Sequence, residues 1–236
     1  MLKFPCLVLD HDDTVVRSTP TIHYPAFAKT LKTLRPDVNW TLEQFVAYNF
    51  DPGFEAMCRD ILHFTPEEMN FQEASWRAWS AANIPPAFEG MEELLRRYRL
   101  QNGVVCVVSH SSEETIRRDY RQHFGFEPDL VFGWELGADK RKPAPWPLEQ
   151  IMAHFSLKPQ QLLMVDDLKP GWQMAKSCGV PFAFAGWGCS VESIQHFMHQ
   201  NADYDLRQVS ELQQLEMYAL SDFLIMVFVM VSEAVT

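Results

Sequence analysis

The stretch FPCLVLDHDDT, Phe4 to Thr14, decides the fold. Its apolar part does not alternate with polar residues, which is the pattern of a strand buried on both faces of a parallel sheet. It ends in three carboxylates, Asp10, Asp12 and Asp13. Open α/β sheets present their ligand crevice at the carboxyl ends of their strands. Three further runs read the same way, VVCVVS at 104–109, LLMVDD at 162–167 and VPFAFAG at 180–186, with DLVFG at 129–133 as a fifth. Between them, helical spacing occupies 91–98, 113–123, 147–155 and 173–178, the last stopped by Gly179. Strand and helix alternate, so the expected fold class is α/β, a doubly wound parallel sheet with a Rossmann-like core.

The pattern changes from Val15 to Phe88, where Trp, Phe, Met and Leu recur at three- and four-residue intervals and no strand pattern occurs. This predicts an α-helical insert over 15–88 within a discontinuous core of 1–14 and 89–236. The chain enters it through Arg17-Ser18-Thr19-Pro20 and leaves through Ile84-Pro85-Pro86, where two prolines cannot continue a helix. Both segments are expected to act as hinges. Trp76 and Trp79, with Phe71 nearby, are expected to form the insert's own small core.

Composition narrows the function. The 236 residues are 47% hydrophobic and carry a formal net charge of −11, enough to bury a core and too acidic to favour a nucleic-acid backbone. Five scattered cysteines without a C-x-x-C pair read as reduced thiols in a cytoplasmic protein. No signal peptide or membrane anchor is read at the N-terminus, and the mature chain is expected to start at Met1. The apolar run FLIMVFVMV at 223–231 is far short of the roughly 20 residues that span a bilayer. Burial against the core or a second subunit is its expected fate, so a homo-oligomer is one expectation and a membrane is not.

Chemistry gathers at the strand ends. Two carboxylates about 4 Å apart repel by about 4 kcal/mol at an effective dielectric near 20, so a hard cation such as Mg²⁺ is expected among them. Ser109-His110-Ser111-Ser112 precedes the helix opened by Glu113, where hydroxyls and free N–H groups hold an anion or cap the helix. Lys142, in the stiff setting KPAP, can neutralise a phosphate, and Asp166-Asp167 would add oxygen ligands. His11 should point away from its two acidic neighbours. His196 and His199 read as surface histidines.

Together these features resemble the haloacid dehalogenase (HAD) superfamily of phosphate-transferring hydrolases, in its phosphoglycolate-phosphatase-like subgroup with a helical cap after the first strand. The resemblance implies Asp10 as nucleophile, Asp12 as general acid/base, protonated at the outset, and Ser109, His110 and Lys142 around the phosphoryl group. Mg²⁺ would be held by Asp10, Asp12, Asp166 and Asp167. The implied activity is hydrolysis of a small phosphorylated metabolite through an aspartyl-phosphate. The alternatives are a sugar phosphomutase, a haloacid dehalogenase and a non-catalytic binding or regulatory member. Two positions depart from the family pattern. Asp13 stands where Gly is usual, which implies backbone strain there. Gly171 stands where a later acid is common, which leaves metal binding to Asp166 and Asp167.

Overall fold

Every side chain of the first strand, β1 (Cys6–Leu9), is fully buried. The computed structural model describes residues 2–215, so the apolar run at 223–231 lies outside the described residues. β1 sits inside a parallel sheet, in register with Val104–Val107 on one side and Leu162–Val165 on the other. The remaining strands are β2 (Val104–Val108), β3 (Leu130–Phe132), β4 (Leu162–Asp166), β5 (Phe182–Ala185) and β6 (Tyr204–Leu206), in the order β3-β2-β1-β4-β5-β6. β6 has no counterpart in the sequence reading. It is an edge strand of three residues with Asp205 at its centre, too short and too polar for a hydrophobic pattern to show.

Both faces of the sheet are covered, as unalternating strands require. Leu7 and Leu9 pack toward α5 (Met91–Leu100) and α6 (Glu113–Phe124). Cys6 and Val8 pack toward α7 (Trp146–Phe155), α8 (Lys169–Cys178) and α9 (Glu192–Asn201). Burying one such leucine is worth about 1.5–3 kcal/mol, and truncating it to alanine costs about 2–5 kcal/mol because a cavity remains. The strand end that carries Asp10 is therefore rigid.

Residues 24–82 hold α1 (Tyr24–Leu34), α2 (Leu42–Phe50), α3 (Phe54–Ala56) and α4 (Pro66–Ala82), and no strand is described among them. Capping boxes at Thr41/Gln44 and Thr65/Glu68 start α2 and α4. The helical segment closes on Phe27, Leu31, Phe45, Met57, Leu62 and Phe64, with Met69 from the first turn of α4. Phe71, Trp76 and Trp79 lie outside that core, contrary to the sequence reading: α4 runs on past it, and Phe71 is 45% exposed. The two connections to the sheet are bonded side by side. Arg17 N–H donates to Pro86 O at 2.8 Å and Phe88 N–H to Val15 O at 3.1 Å, while helical backbone already begins at Thr19. Among the described residues no helix is long and apolar enough to cross a membrane.

Candidate active site

The strand order makes β1 and β4 neighbours, so their carboxyl ends bring Asp10, Asp166 and Asp167 together. Asp10 N–H donates to Val165 O at 2.8 Å, locking the two ends in step. Lys142, from the loop before α7, reaches between them, with Nζ 2.8 Å from Asp10 Oδ1 and 2.6 Å from Asp166 Oδ2. All four side chains are buried. Burial alone would lower the Lys142 pKa, but the two carboxylates outweigh it and keep the ammonium charged. Burial pushes Asp166 up to about 7 against the pull of Lys142. Burial and the neighbouring Asp166 push Asp167 well above the usual carboxylate range.

One ammonium thus faces three carboxylates. Oxygens of Asp10, Asp166 and Asp167 lie within 4.8 Å of one another, and Asp167 Oδ1 is buried without a hydrogen-bond partner. A cluster of hard, negatively charged oxygens with an unused acceptor fits a divalent cation such as Mg²⁺. The Asp12 carboxylate is outside this trio.

Asp12 is held from the other side. His23 Nε2 lies 2.8 Å from its Oδ1, and Ser111 Oγ donates to Oδ2 at 2.7 Å, with Ser109 Oγ farther off at 3.4 Å. Trp76 of α4 donates its indole N–H to His23 Nδ1 at 2.9 Å. An indole only donates, so in this arrangement Nδ1 accepts and Nε2 carries the proton that points at Asp12. Burial lowers the His23 pKa, but the Asp12 charge outweighs it and raises it, which strengthens that donor. Burial raises the Asp12 pKa, but His23 and Ser111 outweigh it and hold the group well below the carboxylate range. The surroundings therefore favour an ionised Asp12, whereas the sequence reading starts the reaction with it protonated. Nothing in the sequence links Asp12, His23 and Trp76, and Ser111 read only as part of a helix start.

Ser109 is anchored by its N–H to Phe132 O at 3.0 Å, and its Oγ accepts from Ser111 N–H at 3.2 Å. His110 lies 3.1 Å from Lys142 O, and burial with the adjacent Lys142 charge lowers its pKa to about 4, so its ring is neutral at pH 7. His11 points away from the site to Asp119, at 3.1 Å. Asp13 has φ 55°, the left-handed conformation in which glycine is usual. Its carbonyl lies where a β-carbon on Gly188 would approach to 1.7 Å, so residue 188 has to be glycine. Gly171, on the first turn of α8, lies against Asp166 and leaves it room.

Asp10, Asp12, Ser109, Lys142, Asp166 and Asp167 line a cavity of about 1650 Å³ that extends under α2 to α4. The model of the haloacid dehalogenase-like hydrolase family matches residues 4–179, more than half of the chain. No curated protein matches it. Solved structures do, including a predicted phosphoglycolate phosphatase from Haemophilus somnus 129pt, 16% identical with TM-score 0.72 over 91% of this chain and 99% of that one. CbbY from Rhodobacter sphaeroides, solved in complex with phosphate, is 18% identical with TM-score 0.69 over 90% and 96%. The haloacid dehalogenase-like family protein SP0104 from Streptococcus pneumoniae is 17% identical with TM-score 0.68 over 89% and 97%. At such identities the likeness speaks for the fold, and the family match carries the assignment. The chain belongs to the haloacid dehalogenase-like hydrolases.

Proposed function

We propose that this hydrolase is a Mg²⁺-dependent phosphatase that cleaves a small phosphorylated metabolite through an aspartyl-phosphate on Asp10. The catalytic core would comprise 1–14 and 89–236, with 15–88 as its cap. The observation that carries the reading is Lys142 bridging Asp10 and Asp166 beside the unpartnered Asp167 oxygen. Two structural neighbours, one a predicted phosphoglycolate phosphatase and one solved in complex with phosphate, point the same way. Five free cysteines, four of them buried, suit a reducing cytoplasmic setting.

Asp10 attacks phosphorus, forming the Asp10–phosphorus bond as the ester oxygen leaves with the bonding pair. Lys142 orients the attacking carboxylate and offsets the charge that meets it. Ser109 and the neighbouring N–H groups receive phosphoryl oxygens. Asp12 has to carry a proton in the first step to give to the leaving oxygen, and a phosphate dianion beside it raises its proton affinity toward that state, against the pull of His23 and Ser111. The resulting carboxylate, held by His23 and Ser111, takes a proton from the water that attacks phosphorus and regenerates Asp10. Asp10, Asp166 and Asp167 would hold Mg²⁺, which supplies charge neutralisation at the phosphoryl oxygens.

The test is phosphate release with Mg²⁺ over a panel of sugar, nucleotide and organic-acid phosphates, run beside Asp10→Asn. Turnover that needs Mg²⁺ and falls by at least about a thousandfold in the variant is expected, as for loss of a covalent nucleophile. Turnover retained by Asp10→Asn would remove Asp10 from its role, and transfer to a sugar instead of water would make the enzyme a mutase.

A further inference from the structure

The cavity is larger than a small phosphate ester fills, so a few placed groups must select the substrate. Three arginines line it. Arg59 is spent on its neighbour Asp60, at 2.7 and 2.9 Å, and Arg17 is exposed. Arg141 is different. Its side chain is only 12% exposed, and its guanidinium carbon lies 3.4 Å from the Trp134 ring centroid. Arg141 Nη1 is buried with no hydrogen-bond partner. Arg141 Nη2 is 3.9 Å from Glu55, an exposed carboxylate of α3 and too far for a hydrogen bond. Lys142, the next residue, already gives two of its three N–H donors to Asp10 and Asp166.

We propose that Arg141, held flat on Trp134, is a second anion subsite, so that the substrates are short phosphate esters carrying a second anionic group, carboxylate or phosphate. A guanidinium fork suits either group, and a buried N–H without a partner gains most from a charged acceptor. The position already draws a carboxylate, that of Glu55, to its open edge. Because Arg141 and Lys142 are consecutive and both line the cavity, the second anion sits close to the phosphoryl group and the carbon chain between them is short. This inference rests on the phosphatase reading for the place of the first phosphate.

Phosphonates separate the two readings because binding needs no turnover. With Mg²⁺ present, calorimetry on the full chain would compare propylphosphonate, 3-phosphonopropionate and propane-1,3-diphosphonate. Binding about tenfold tighter for one or both doubly anionic ligands is expected from a charge-assisted bond. Which of the two gains identifies carboxylate or phosphate. Arg141→Gln should erase that preference while leaving propylphosphonate unchanged, and Arg141→Lys should retain part of it, which also covers a glutamine variant that fails to fold. Equal binding of all three by the native chain, no binding of any, or an unchanged preference in Arg141→Gln would overturn the proposal. Selective binding without phosphate release from any ester would instead overturn the phosphatase reading alone.

Discussion

Gly171 lies so close to Asp166 that a β-carbon built on it would sit 2.1 Å from Asp166 Oδ2. Asp166 has nowhere to retreat, because Leu168 N–H holds Oδ1 at 2.8 Å and Lys142 holds Oδ2 at 2.6 Å. The missing acid at 171 is thus the condition for Asp166 to reach the lysine. Gly171→Ala should lower stability by about 1–3 kcal/mol through overpacking and cut turnover at least about tenfold. Gly171→Asp, which restores the commoner family acid, should do no better. Urea unfolding and phosphate release check both, and native turnover in either variant would refute the steric argument.

Without a divalent cation, the buried acids set the pH dependence of stability. Asp13 and Asp166 are raised to about 7 in the fold from the ordinary 3.8, so between those values the native state binds more protons than the unfolded chain. Stability then falls as pH rises through that window. His110, lowered to about 4 from 6.5, has the opposite sign but is one group against two or more. In chelator, the melting temperature should drop by a few degrees between pH 5 and pH 7.5, with Mg²⁺ removing much of the drop. A melting temperature that climbs with pH in chelator would contradict this charge balance.

Lys142 is the counter-ion of two buried carboxylates, so its removal strands both. Lys142→Met should cost about 3–5 kcal/mol near neutral pH, less at pH 5 where the acids take up protons, and should abolish turnover. Denaturation at the two pH values reads the difference. A pH-independent loss would mean that packing, and not charge, is what the lysine contributes.

Much of this site could be read from the sequence because the sheet orders it. The uniform apolar run Cys6–Leu9 demands cover on both faces, a parallel sheet follows, and its strand ends collect Asp10, Asp166 and Asp167. The groups that grip Asp12 follow no such rule. His23 is 11 residues away from it, and Trp76 is a further 53 beyond His23, separations fixed only by how the helical segment packs. Trp76 read as a core residue for the same reason, since helical spacing tells which residues share a face and not what that face meets. Arg141 likewise lies over the ring of Trp134, a pairing that the spacing of the two residues along the chain does not show.

The indole of Trp76 fixes which nitrogen of His23 carries the proton and so keeps a donor aimed at Asp12. Trp76→Phe retains the ring and removes that N–H. His23 is then free to turn Nε2 into an acceptor, which would leave the Asp12 carboxylate without one of its two close donors. One hydrogen bond to a charged group is worth about 1.5–3 kcal/mol, or a factor of about 10–150 in rate. The variant should lower kcat by that factor while KM changes little, because the group that moves protons is disturbed and the anion sites are not. Ser111→Ala removes the other close donor, and the two changes combined should exceed their product, since each bond limits the freedom the other would release. A Trp76→Phe enzyme that melts earlier yet keeps its native kcat would reduce Trp76 to a packing residue and leave Asp12 oriented by Ser111 and the strand end alone.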